Sequence, residues 1–149
     1  GDHTIRYTYL DGGVNFNWFD IVGAETVRIE AEAYTRQGEV AKVEDVDGST
    51  YIEGMDMADW VRFGLFIPDA GTYTIEYVVA SGNADSALAL TDNDGMVLDS
   101  QAIGNTGGPV TWTTITSTVE IAVGGGQNLY FWSTGSESWN FKSFTITAQ

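Results

Sequence analysis

The sequence predicts an all-β protein, an antiparallel β-sandwich of jelly-roll type. Three observations carry that reading. Apolar and polar residues alternate along nearly the whole chain, with Thr, Val, Ile, Tyr and Phe in excess, the pattern of half-buried strands. No window carries the apolar stripe of an amphipathic helix. Turn clusters recur between the alternating runs: Pro68-Asp69-Ala70-Gly71, Asp92-Asn93-Asp94-Gly95, Thr106-Gly107-Gly108-Pro109 and Gly124-Gly125-Gly126. Many short strands joined this way pack as two sheets.

In chain order, TIRYTYL (4–10) and NFNWFDI (15–21) flank a Gly-Gly turn. VRIEAEAY (27–34) alternates Val27, Ile29, Ala31 and Ala33 with charged residues, and STYIEG (49–54) is rich in β-branched and aromatic side chains. DWVRFGLFI (59–67) and GTYTIEYVVAS (71–81) are joined by the Pro68 turn, SALALTD (86–92) and MVLDSQAI (96–103) by the Asn93-Asp94 turn. WTTITSTVEIAV (112–123), NLYFWST (128–134) and NFKSFTITA (140–148) complete the set. Trp60, Trp112, Phe141 and Phe144 fall on alternating strand positions and are expected in the core.

With 149 residues, the chain can bury roughly 70% of its unfolded surface and is expected to form one main domain. It has no cysteine and a single histidine, His3. Disulfide frameworks, zinc ribbons and thiol chemistry are excluded, and serine–histidine hydrolysis is disfavoured. Six basic residues face 21 acidic ones for a formal charge of −15, so neither nucleic acid nor an anionic membrane is an expected partner. No run approaches the ~18 apolar residues of a membrane span. GDHTIRYTYLDGG lacks the pattern of a secretion signal, so either the protein is not secreted or the signal lies outside this chain.

The two ends of the chain resemble each other. GDHTIRYTYLDGGVNFNWFDI (1–21) aligns with GGQNLYFWSTGSESWNFKSFTI (125–146), matching Asn15 with Asn140, Phe16 with Phe141 and Phe19 with Phe144. Residues 1–24 are therefore expected to be the closing hairpin of a preceding domain of the same type, with 25–149 the complete domain. The alternatives are a linker, a hairpin of this domain, or one exchanged between copies.

From residue 29 onward the order of motifs resembles a family 6 carbohydrate-binding module. IEAEAY (29–34), DWVRF (59–63), AGTYTIEYVVAS (70–81), WTTITSTVEI (112–121), GGGQNLYF (124–131) and WNFKSFTIT (139–147) carry the likeness. The resemblance implies a non-catalytic, extracellular module that attaches a glycoside hydrolase to polysaccharide. It also implies a glycan site among the loops at one end of the sandwich, where two aromatic rings clamp a sugar and an Asn bonds its hydroxyls. On that basis Tyr51 takes the first aromatic position, Asn140 the amide position and Glu44 the acidic position near the cleft. The family has a Trp after Thr-Gly-Gly, where this chain has Pro109. Half of the clamp is missing unless Pro109 or Trp139 substitutes for it. A second site, on the concave face of one sheet, is known in some members, and the motifs do not identify its residues here.

The resemblance also implies a structural calcium (Ca2+) between Glu30 and Glu32, which lie on the same side of a strand, with an Asp from the last strand. Lys142 stands at that Asp position, where its ammonium could take the ion's place and neutralise the two carboxylates. Plainer readings remain beside these. Tyr51 can be an edge-strand tyrosine, Asn140 can bond a turn backbone, and Glu30 and Glu32 can simply be exposed. A small glycosidase would need two carboxyl groups paired across a cleft, and the sequence gives no way to pair them. A spacer whose glycan site has decayed is the third reading. The acidic balance favours neutral glycans such as xylan, β-glucan or agar-type galactans, although Arg36, Lys42 or Lys142 could reverse the sign locally.

Overall fold

A computed structural model describes residues 26–149. The hairpin expected over 1–24 lies outside the described residues. Among the described residues eleven strands form two antiparallel sheets, as the alternation predicts: β1 (Thr26–Glu30), β2 (Arg36–Gly38), β3 (Ala41–Glu44), β4 (Thr50–Met55), β5 (Trp60–Ile67), β6 (Gly71–Ala80), β7 (Ala87–Thr91), β8 (Val97–Ala102), β9 (Thr113–Ile121), β10 (Gly125–Ser133) and β11 (Trp139–Ala148). The first sheet runs β3-β4-β11-β6-β9, with β1 also paired to β11; the second runs β2-β5-β10-β7-β8. No helix among the described residues is long and apolar enough to cross a membrane.

The predicted strand over 27–34 stops at Glu30 and continues as a 3-10 turn at Ala31–Ala33. Strands β2 and β3 were not legible in the sequence. Both are short edge strands with mostly exposed residues, so no buried face imposes alternation on them.

Between the sheets lies an aromatic core. Phe63, Phe131, Phe141, Phe144 and Tyr77 are buried, and the rings of Phe131 and Phe144 approach to 4.5 Å. Phe63 meets Phe144 edge-on at 5.0 Å. These are the tilted and T-shaped arrangements that aromatic quadrupoles favour. The core residues of β5 and β10 occupy one parity, Val61 and Phe63 on β5 and Leu129 and Phe131 on β10. The opposite parity of both strands therefore faces away from the core.

Three connections are locked together at the end where β11 begins. Ser81 and Ser86 share a hydrogen bond of 2.7 Å, and both hydroxyls lie within hydrogen-bond distance of the Ser138 carbonyl, to which whichever of them keeps its proton donates. Thr106 ties the β8–β9 connection to the same point, its N–H donating to the Ser81 carbonyl. Gly135 has no room for a side chain, because a Cβ there would meet the Asp85 carbonyl oxygen and the Ala87 nitrogen. Loops that would otherwise be mobile are thus fixed by satisfied polar groups.

Candidate functional site: a loop-end cluster and an aromatic sheet face

At the loop end, the β4–β11 pairing is irregular: Trp139 pairs with Met55, but Phe141 pairs with Ile52. One extra residue on β4 makes a bulge, and Gly54 takes a φ of 66° there, a left-handed conformation that glycine adopts without a Cβ clash. The Gly54 N–H donates to Asn140 Oδ1 at 2.9 Å, and Asn140 Nδ2 donates to the Pro109 carbonyl at 2.6 Å. The two partners, one a donor and one an acceptor, fix the orientation of the amide. Asn140 is 5% exposed, so its carboxamide works as a staple between the bulge and the β8–β9 connection.

Trp112 closes the same region. Its ring meets Tyr51 edge-on at 5.2 Å, and Tyr51 is left 5% exposed. The indole N–H of Trp112 donates to Asp45 Oδ2 at 2.9 Å. Lys142 Nζ reaches the same oxygen at 2.9 Å and Asp47 Oδ2 at 3.1 Å. It also lies 5.1 Å from the centre of the Trp112 ring, within cation–π range. The Lys142 ammonium and the Val46 N–H hold the Asp45 carboxyl below its usual range. Asp47, bonded first by Ser49 and then by Lys142, is lowered to about 2. The ion pair raises the Lys142 ammonium against a desolvation that works the other way.

The second aromatic group lies on the outward parity of the second sheet. Trp60 pairs with Trp132 and Arg62 with Tyr130 across β5 and β10, and directly opposed residues share a face. Their rings form one surface: Trp60 to Tyr130 is 5.6 Å, Trp60 to Trp132 is 5.8 Å, and Tyr130 and Trp132 are stacked 20° from parallel at 6.3 Å. All three are half-buried. On β2, Gly38 faces Trp60; a Cβ there would sit 2.6 Å from the indole Nε1, so glycine leaves room for the ring to lean across the strand. Trp132 Nε1 donates to Thr91 Oγ1 at 3.1 Å. An open apolar pocket of about 400 Å³, lined by Met57, Ala58, Ala89, Thr91, Val97 and Trp132 among others, continues the surface on one side.

The family model for carbohydrate binding module family 6 matches residues 30–148. The chain belongs to this family. It resembles the C-terminal family 6 module of LamC, a marine laminarinase of Zobellia galactanivorans, with 34% identity and a TM-score of 0.72 over 82% of this chain and 98% of that one. A module from Cellvibrio mixtus lichenase 5A in complex with cellotriose gives 30% identity and a TM-score of 0.72, covering 83% and 97%. A β-1,3-glucan-binding module of Bacillus halodurans gives 27% and 0.72, covering 82% and 96%. The chain is also 34% identical over 123 residues, 80% of its length, to the clotting factor G alpha subunit of Tachypleus tridentatus, and spans 18% of that protein.

Several expected residues sit differently in this module. Trp139 is 1% exposed and donates its indole N–H to Ser133 Oγ at 3.0 Å; it is a core residue and offers no platform. Trp60 and Trp112, expected in the core, are both partly exposed, because each lies on the face opposite the core or beyond the strand end. Pro109 is exposed, but its carbonyl is occupied by Asn140. Glu44 is exposed on β3, and the acid at Trp112 is its neighbour Asp45. Tyr130 and Trp132 are not among the residues the sequence motifs single out. Their signal is NLYFWS itself, where aromatic residues occupy both parities of one strand although a core needs only one.

The calcium set implied by the family is not assembled as three carboxylates. Glu30 is held by Arg28 at 2.8 Å, and Lys142 turns to Asp45 and Asp47 instead of neutralising Glu30 and Glu32. The reason is reach to a closer acidic pair on the β3–β4 connection. Among the described residues no three acidic or histidine side chains converge. Glu32 Oε2 is nevertheless buried without a hydrogen-bond partner, as is Ser143 Oγ. The unpartnered Glu32 carboxylate oxygen supplies one ligand of the kind a hard cation takes, and backbone carbonyls and water would have to complete six to eight.

Proposed function

We propose that this module binds polysaccharide without cleaving it and holds an attached glycoside hydrolase on its substrate outside the cell. The outward aromatic surface of Trp60, Tyr130 and Trp132 is the observation that carries this reading. A pyranose has an apolar C–H face that stacks on aromatic rings, with hydroxyls left for neighbouring polar groups. Adjacent rings on one sheet suit consecutive sugars of a chain better than a single terminal sugar. The glycan we assign has a neutral β-glucan backbone, the class supported by the cellotriose-bound and β-1,3-glucan-binding relatives.

The loop end is the weaker platform. Tyr51 is covered by Trp112, and Asn140 has already committed a donor and an acceptor to the backbone. A bound cation at Glu32 belongs to this proposal as a structural element only, supported by the unpartnered Oε2. Chelator should then lower the melting temperature and calcium restore it; an unchanged melting curve removes the cation.

Affinity electrophoresis in gels containing laminarin, lichenan or xylan tests the function. Retardation without release of reducing ends is expected in the β-glucan gels. Release of sugar would make the protein an enzyme, and neither retardation nor release in any gel would make it a spacer.

A further inference from the structure

The module is strongly acidic overall, yet its aromatic face carries two arginines side by side. Arg36 and Arg62 are register partners across β2 and β5, and Arg62 is also the partner of Tyr130. All three therefore project on the face that bears Trp60 and Trp132. The remaining described cations are engaged: Arg28 with Glu30, Lys142 with Asp45 and Asp47, and Lys42 with the Glu32 carbonyl. Among the described residues, Arg36 and Arg62 have no carboxylate partner. Arg62 is steadied at one corner only, its Nε donating to Thr35 Oγ1 at 3.1 Å, which leaves both terminal nitrogens of the fork for another group. Like charges directly opposed on neighbouring strands destabilise a sheet. In a chain with 21 acidic residues, leaving both without a carboxylate partner among the described residues beside an aromatic platform needs a reason.

Resting on the glycan-binding reading of the same face, we propose that the glucan it recognises carries anionic substituents, which the Arg36–Arg62 pair takes while Trp60, Tyr130 and Trp132 stack on the sugar rings. The guanidinium fork matches the spacing of carboxylate or sulfate oxygens and binds them through paired, charge-assisted hydrogen bonds. The net charge of −15 does not oppose this, because charges more than ~8 Å away are screened at physiological salt. The nearest charges decide.

The test uses one β-glucan in three forms: unmodified, oxidised to the carboxylate at C6, and sulfated. At physiological ionic strength, where the Debye length is ~8 Å, the intact protein should bind at least one anionic form about tenfold more tightly than the neutral one. About 0.5 M NaCl should remove that gain. Arg36→Gln, and Arg36→Gln with Arg62→Gln, should bring the ratio of anionic to neutral affinity close to one, with melting temperature measured alongside. Arg36 is exposed, so the single variant keeps the test valid even if the double variant unfolds. A preference for the carboxylate over the sulfate identifies a uronate, and the reverse a sulfated glycan. Equal binding of all three forms, or a preference that survives Arg36→Gln unchanged, overturns the proposal while leaving the glycan-binding reading intact. Failure to bind any form overturns both.

Discussion

The two aromatic clusters of this module use the same kinds of residue to opposite ends. At the loop end, Tyr51 is covered by the edge of Trp112, and that indole is in turn tied to Asp45. On the sheet face, Trp60, Tyr130 and Trp132 lie beside one another, half-buried and with no further strand of the described residues over them, and the glycine at position 38 is shaped to the indole of Trp60. The first cluster spends its polar groups on the protein itself, whereas the second leaves its rings and two guanidinium groups open. Aromatic content alone therefore does not locate a glycan site; what matters is whether the hydrogen-bonding groups around the rings are already satisfied.

The sharpest way to break the comparison is to remove a residue that the sequence offers as a ligand contact and the structure assigns to the fold. Trp139→Ala should destabilise the module by about 3–5 kcal/mol through loss of a fully buried ring, read as a large fall in the urea midpoint. A normally stable variant would return Trp139 to the surface. Asn140→Ala should cost about 2–4 kcal/mol, because it orphans the Gly54 N–H and the Pro109 carbonyl. If that variant is fully stable and only binding suffers, the amide belongs to a ligand after all.

A smaller effect concerns acid. Hydrogen bonds hold the Asp45 carboxyl below the usual carboxylate range and the Asp47 carboxyl at about 2. Groups lowered on folding stabilise the native state above their unfolded pKa, and that stability is lost as pH falls through the folded one. Melting temperature should accordingly decline between about pH 4 and pH 2, and Lys142→Met should flatten that decline by removing the partner ammonium. An identical acid limb in the variant would show that the ion pair contributes nothing there.

The sandwich was legible because its strands are half-buried, and half-burial imposes alternation; the edge strands β2 and β3 have no buried face and left no such trace. The site was less legible for a related reason. Pattern identifies which parity of a strand is apolar, but in NLYFWS both parities are aromatic, and only the packing shows that Leu129 and Phe131 face the core while Tyr130 and Trp132 do not. Lys142 shows a second limit. Its position beside the family's metal residues pointed to Glu30 and Glu32, yet a long flexible side chain follows whichever carboxylates its ammonium can reach, here Asp45 and Asp47. Asn140 is the converse case: the residue was found, and its partners proved to be backbone.

The most direct test of the sheet-face assignment is affinity electrophoresis of Trp132→Ala and Trp60→Ala beside Trp112→Ala in the same β-glucan gel. Loss of a central aromatic platform should weaken binding about 10–100-fold, so the two sheet-face variants should run unretarded while Trp112→Ala stays retarded. Retention of both sheet-face variants together with loss of retardation in Trp112→Ala would place the glycan at the loop end and contradict the account.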